Sequence, residues 1–166
     1  KSLPILNHRR IVKKIITKES SSITFKDKQI TDSSSPYLIA EIGVNHNGDL
    51  NEAESLIISA AKSGCDAIKL QHRTKNTYSK INLNSYDLGT QYILSEIEKT
   101  RLNIKEIKSC NELANSLGID TIITPFDELA LEEIINAKVN LSAIKIASCD
   151  LNNFPLIKKC SGTNLP

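Results

Sequence analysis

From Tyr37 to Val44 nearly every position is apolar, and a single carboxylate, Glu41, interrupts the run. A continuous apolar stretch of this length predicts a strand, Tyr37 to Ile42, covered on both faces in a parallel sheet. Two-residue alternation puts Glu41 on the face shared by Tyr37, Ile39 and Gly43, toward the strand's C-terminal end. Asn45-His46-Asn47-Gly48 then supplies turn residues, and Asp49 with Glu52 three positions on forms a capping box. Ala53, Leu56, Ile57, Ala60 and Ala61 lie on one helical stripe, so the spacing predicts a helix over Leu50 to Ser63, stopped by Gly64. Ala67-Ile-Lys-Leu-Gln71 is strand-like again, which completes a βαβ unit.

The same alternation continues to the end of the chain. A second helix has Asn103 as N-cap, Glu106 at its third position and Gly118 as its stop. Strand three runs from Thr121 to Pro125. Asp127 caps a third helix over Glu128 to Ala137, strand four is Ala143 to Ala147, and a short fourth helix spans Phe154 to Lys159. Four strands and four helices in strict alternation imply an α/β fold with a parallel sheet and right-handed crossovers. Residues 72–102 form a long polar excursion with one helical piece, Tyr92 to Lys99, and such length after a strand points to function. Ahead of the sheet, residues 1–22 read as basic and irregular, 23–30 as a strand or hairpin, and 31–36 as a linker.

Composition adds less. With 166 residues, 40% hydrophobic and 24% charged, the chain suits one soluble domain with one core. No apolar run approaches the ~20 residues that cross a bilayer, and no signal pattern opens the chain, so a cytoplasmic protein without a membrane partner is expected. The four cysteines, Cys65, Cys110, Cys149 and Cys160, show no C-x-x-C pairing, which fits reduced thiols rather than a zinc site. The net charge of +2 hides an asymmetry. Residues 1–30 hold eight Lys/Arg against two acids, net +6, and the remainder holds thirteen against seventeen, net −4. Without aromatic interleaving, the basic segment reads as a solvated arm and not as a nucleic-acid surface. The chain contains no Met, and a processed chain or a fragment is expected.

In a parallel α/β sheet, reactive groups gather at the C-terminal ends of strands, where helix N-termini also point. Each strand here carries polar residues at that level: Glu41, then Lys69 and Gln71 on one face, then Thr124, then Lys145 with Ser148 and Asp150 just beyond. Two lysines buried beside hydroxyls suit a compact, multiply charged anion such as a phosphorylated carboxylic acid, and an adjacent acid moves protons. The plainer alternative is a Lys–Glu pair satisfying itself, or lysines pointing out between helices. His46 in its turn reads as an ordinary hydrogen-bonding residue before a metal ligand. Cys149 reads as a packed thiol, since no partner histidine is predicted nearby.

These residues carry a resemblance. Ile39-Ala-Glu-Ile-Gly-Val-Asn-His-Asn-Gly48, Ala67-Ile-Lys-Leu-Gln71, Thr124-Pro-Phe126, and Ile144-Lys-Ile-Ala-Ser-Cys-Asp150 followed by Asn153-Phe-Pro-Leu156 resemble the sialic acid (N-acetylneuraminate) synthase family, which includes the legionaminic and pseudaminic acid synthases. The similarity covers roughly Ile23 to Ile157. It implies a TIM (β/α)8-type barrel that condenses phosphoenolpyruvate with an amino-sugar aldehyde such as N-acetylmannosamine. The product is a nine-carbon 2-keto sugar acid, and phosphate is released with the help of a divalent metal, Mn or Mg. On that template Lys69, Lys145, Thr124 and Ser148 match positions that hold the phosphate and carboxylate of phosphoenolpyruvate, Gln71 matches a sugar contact, and Glu41 and Asp150 match the acids that handle protons and orient the aldehyde or water.

The chain departs from the family's pattern in three places. Asp150 stands where Glu is frequent, Cys149 where Gly is frequent, and the sequence ends after the fourth strand-helix unit, whereas such a barrel needs eight and roughly 250 residues. The family's metal-binding histidines lie on later strands, and an antifreeze-like domain often follows them. The expected organisation is therefore a basic arm and linker over 1–35 and the N-terminal half of a synthase barrel over 36–166, inactive alone and a homodimer when full length. Two rivals stay open: a non-catalytic half barrel that binds an anion or a partner, and an aldolase with Lys69 or Lys145 as Schiff base.

Overall fold

The computed structural model describes residues 3–6, 12–16, 22–25, 28–74 and 95–166. The chain divides into two units, residues 1–36 and 37–166. In the first, β1 (Leu3–Leu6) pairs antiparallel with β2 (Val12–Ile16), and β3 (Ile23–Phe25) pairs antiparallel with β4 (Lys28–Ile30). Within the stretch read as irregular, Leu3–Leu6 and Val12–Ile16 are thus paired strands, because a backbone ladder forms along a segment holding Lys13 and Lys14 whatever their charge.

The second unit is built on β5 (Ile39–Gly43), β6 (Ala67–His72), β7 (Asp120–Pro125) and β8 (Ala143–Ile144), all parallel and in the order β5-β6-β7-β8. The helices are α1 (Leu50–Lys62), α2 (Ile104–Ser116), α3 (Glu128–Asn136) and α4 (Phe154–Ser161). Asn103 and Glu106 form the capping box that starts α2. At α1 the cap is simpler than expected, with Asp49 accepting a hydrogen bond from the Asn51 amide. Residues 95–99 are helical, and the remainder of the Tyr92 to Lys99 prediction lies outside the described residues.

Strand alternation sorts the two faces. Ile42, Ile68, Leu70 and Ile123 pack against Ala53 and Ile57 of α1, Ile107 and Cys110 of α2, and Ile134 of α3. Leu131 of α3 and Leu156 and Cys160 of α4 close over Ile144 and Ile146. All four helices therefore cover one face, and strand order follows chain order without reversal, which is how an α/β barrel is wound. On the other face Ile39 is 45% exposed, so β5 is covered on one side and not on both. At the N-terminal ends of the strands, the Tyr37 hydroxyl donates to Asp120 (2.6 Å) and the Leu38 amide to Asp66 (2.7 Å). Burial, with Asp120 beside it, pushes the Tyr37 hydroxyl pKa upward.

Candidate active site

The face away from the helices carries the polar strand ends. Glu41 and Lys69 are register partners on β5 and β6, Gln71 and Thr124 are register partners on β6 and β7, and Lys69 sits opposite Ile122. Lys69 and Glu41 form an ion pair in which Lys69 is 16% and Glu41 49% exposed, so the pair is open on its carboxylate side. The pair is the self-satisfying arrangement weighed above, and it leaves Glu41 accessible. Thr124 is 2% exposed, and its Oγ1 has no hydrogen-bond partner among the described residues. An orphaned buried hydroxyl costs about 1–3 kcal/mol, so this face carries an unmet donor at the register position of Gln71.

Gly43 makes room for that group. Its φ is +56°, and a Cβ there would come 3.1 Å from Glu41 Oε1 and 3.3 Å from Gln71 Nε2. The missing side chain lets the Glu41 and Gln71 head groups converge over one Cα.

Lys145 lies two residues past Ala143, the register partner of Ile122, and so shares this face. Its amide donates to the Ile123 carbonyl at 2.9 Å, but its side chain is exposed and unpartnered among the described residues, not buried as expected. β8 is also shorter than the expected Ala143–Ala147, because the chain turns into a 3-10 segment at Ser148–Asp150. Ser148 is exposed. Asp150 accepts from Asn153 Nδ2 at 3.1 Å and from Cys149 Sγ at 3.6 Å, and Asn153 in turn caps α4 through the Leu156 amide. Cys149 is exposed within the 3-10 turn, where a packed thiol is expected. Of the expected residues, then, Glu41, Lys69, Gln71 and Thr124 come together, Lys145 borders them, and Ser148 and Asp150 lie in the adjoining turn.

His46 is buried in the β5–α1 turn, and its Nδ1 accepts from the Gly48 amide at 3.1 Å. Burial lowers its pKa, with the Gly43 backbone and the Glu106 carboxylate pulling the other way. That ring nitrogen is occupied within the turn. Among the described residues no group of three His, Cys, Asp or Glu side chains is placed to hold a metal ion.

The end of β6 and the strip after it supply residues that were not expected. Arg73 is buried, its guanidinium 3.8 Å above the Phe126 ring, and its Nη2 donates to Gln71 Oε1 at 2.8 Å. His72, pointing to the helix side, meets Glu133 of α3 at 2.7 Å through Nε2. Thr74 donates through its amide (3.1 Å) and hydroxyl to Asp127, the N-cap of α3. The signal for Arg73 is the alternation itself, since 69, 71 and 73 fall on one face. A concavity of about 560 Å³ between α3 and residues 162–165 lies apart from this group and has largely aliphatic walls, including Leu131, Ile134, Ile144 and Leu165.

A singly wound parallel sheet with polar strand ends on the face opposite its helices is the arrangement of a TIM-type barrel, of which this chain carries four strand-helix units. The NeuB family pattern matches residues 56–166, and the chain belongs to the NeuB family. The N,N'-diacetyllegionaminic acid synthase of Legionella pneumophila is 34% identical over 138 residues, which make up 78% of this chain and 38% of that protein. Among solved structures, the N-acetylneuraminic acid (sialic acid) synthetase of Leptospira borgpetersenii in complex with citrate matches with a TM-score of 0.72 at 28% identity, over 88% of this chain and 48% of that one. A truncated 3-deoxy-D-arabino-heptulosonate 7-phosphate synthase from Thermotoga maritima, 16% identical, shares the fold with a TM-score of 0.60 over 89% of this chain and 44% of that one. The chain spans less than half the length of each of these proteins. Among the described residues no helix is long and apolar enough to cross a membrane.

Proposed function

We propose that this chain carries the phosphoenolpyruvate-binding part of a nonulosonate synthase, an enzyme that joins phosphoenolpyruvate to an N-acetylated amino-sugar aldehyde. The observation that supports it is the convergence of the Glu41–Lys69 pair, Gln71 and the unmet Thr124 hydroxyl on three neighbouring strand ends. Phosphoenolpyruvate carries a phosphate and a carboxylate, and Lys69 and Thr124 offer a cation and a donor to its oxygens. Lys145 and Ser148 border the same region. When the anion binds, Lys69 turns part of its hydrogen bonding to it, and Glu41 keeps a position beside the reacting carbons.

The chemistry is a condensation with hydrolysis. C3 of phosphoenolpyruvate forms a bond to the aldehyde carbon, and the aldehyde oxygen takes up a proton to become a hydroxyl. Water adds at C2 and loses one proton, which balances the one taken up by the aldehyde oxygen; the C2–O bond to phosphate then breaks, the remaining hydroxyl proton passes to the departing phosphate, and the 2-keto acid and inorganic phosphate leave. Glu41 and Asp150 are the groups assigned to these protons, with Glu41 the better placed because its carboxylate is open to the site. Gln71 contacts the sugar. A divalent Mn or Mg ion belongs to the proposal for the whole enzyme, as does a homodimer.

The test uses the protein expressed from its native coding region, whatever its length. Phosphate release is measured with phosphoenolpyruvate plus N-acetylmannosamine or a diacetamido analogue, and the product mass is read in parallel. Release that needs both substrates supports the proposal. Binding of phosphoenolpyruvate by folded protein without turnover overturns it in favour of an anion-binding module. The 166-residue chain alone is expected to be inactive.

A further inference from the structure

Gln71 has two chemically opposite ends, and the structure decides which one faces the ligand. Arginine offers donors only, so the Gln71 atom that meets Arg73 Nη2 at 2.8 Å is the carbonyl Oε1. The amide Nε2 therefore points the other way, over Gly43, where Glu41 Oε1 also lies. Among the described residues Nε2 has no hydrogen-bond partner.

Arg73 is not an incidental surface arginine. Each residue of His72-Arg73-Thr74 is fixed to the stretch that follows β7. His72 accepts from the Phe126 amide at 3.0 Å through its carbonyl and meets Glu133 through its ring, Arg73 lies on the Phe126 ring, and Thr74 binds Asp127. The guanidinium is thus held in plane by a ring below and by clamped neighbours on both sides, which is how a side chain is made a rigid template for another.

We propose that Arg73 is a positioning residue that fixes Gln71 with its nitrogen toward the open face, so that Gln71 acts as a donor. The pair formed by Gln71 Nε2 and Glu41 Oε1 then recognises a hydroxyl group, which accepts from the first and donates to the second. On the functional reading above, on which this rests, that hydroxyl belongs to the acceptor sugar and not to phosphoenolpyruvate.

The experiment is a double-mutant cycle in the protein from its native coding region, with N-acetylmannosamine and phosphoenolpyruvate as substrates. R73M keeps the stem on Phe126 and removes the donor. It is expected to raise the sugar KM about 10-fold while the phosphoenolpyruvate KM stays within about twofold, and to add nothing further in a Q71A background. Additive effects, or an equal rise for both substrates, overturn the proposal. Should R73M fail to fold, Q71E carries the test: it keeps a partner for Arg73 but has no donor, so a sugar KM equal to the parent's overturns the donor role. If the parent shows no turnover, the functional reading itself fails. The orientation is then read from the Gln71 side-chain amide in proton–nitrogen correlation spectra, assigned by its loss in Q71A. A shift of that signal in R73M supports the positioning, and an unchanged signal overturns it.

Discussion

Glu41 and Lys69 face each other in register across β5 and β6, and their ion pair leaves the carboxylate half in solvent. A pair this exposed contributes little to stability, about 0–1 kcal/mol after screening. On the proposed function, its value lies in holding a cation and a base side by side. We expect E41Q to lower kcat about 100-fold or more while the urea midpoint changes by less than the equivalent of about 1 kcal/mol. K69M is expected to raise the phosphoenolpyruvate KM by at least about 10-fold, as loss of a charge-assisted contact does. Steady-state rates and denaturation of the same samples check both. Strong destabilisation with unchanged rates would make the pair a structural one.

His46 sets a pH dependence of folding. Burial lowers its folded-state pKa below the ordinary value of 6.5, so between the two values the unfolded chain binds more protons than the folded one. Stability is therefore full above about 6.5 and falls as the pH drops below it toward the folded value. H46N keeps an acceptor for the Gly48 amide and removes the titration. Urea midpoints measured at neutral and mildly acidic pH are expected to fall for the parent protein and to lose that component of the fall in H46N. Parallel curves would show that another group carries the effect.

Thiol reactivity separates the cysteines by position. Cys149 is exposed in its 3-10 turn, whereas Cys110 is buried in the core between α2 and the sheet, with its thiol pushed up to about 12 by burial. Burial raises Cys160 as well. Because the thiolate is the reactive form, native alkylation is expected to mark Cys149 first and to spare Cys110 until denaturant is added. Peptide mass mapping over a time course reads this. Early labelling of Cys110 would mean that α2 opens readily.

Most of the sheet was legible because buried parallel strands and amphipathic helices leave strong periodic signals. The α1 range differs from the expected Leu50–Ser63 by a single residue at its end, and the Asn103/Glu106 cap is as read. The β1–β2 pairing was not legible, since an antiparallel ladder depends on backbone hydrogen bonds and Lys13 and Lys14 do not betray it. At the site, Glu41, Lys69, Gln71 and Thr124 follow from alternation. The exposure of Lys145 does not, because burial depends on which elements stand above a strand end. Arg73 obeys the same alternation but falls just past β6, in a stretch whose composition reads as loop. What organises it is Phe126, 53 positions away, a relation no local pattern carries.

Two glycines with nearly the same backbone give a direct test of how the turn after β5 is held. Gly48 has φ +79° and Gly64 φ +78°, so alanine at either is strained by a similar amount, about 1 kcal/mol. Their surroundings differ. A Cβ at Gly64 meets nothing within 4 Å, while one at Gly48 would overlap the Lys99 carbonyl oxygen, which is backbone and cannot swing aside. G64A is therefore expected to cost about 1 kcal/mol and G48A about 3 kcal/mol or more, measured as the difference in urea unfolding free energy. The gap between them isolates the contact that joins the Asn45–Gly48 turn to the helical piece at 95–99. Since Glu41 lies just before that turn, G48A is also expected to lower activity more than G64A does. Equal costs for the two variants would mean that the turn and Lys99 are not in contact in solution, and that Glu41 is held by its strand alone.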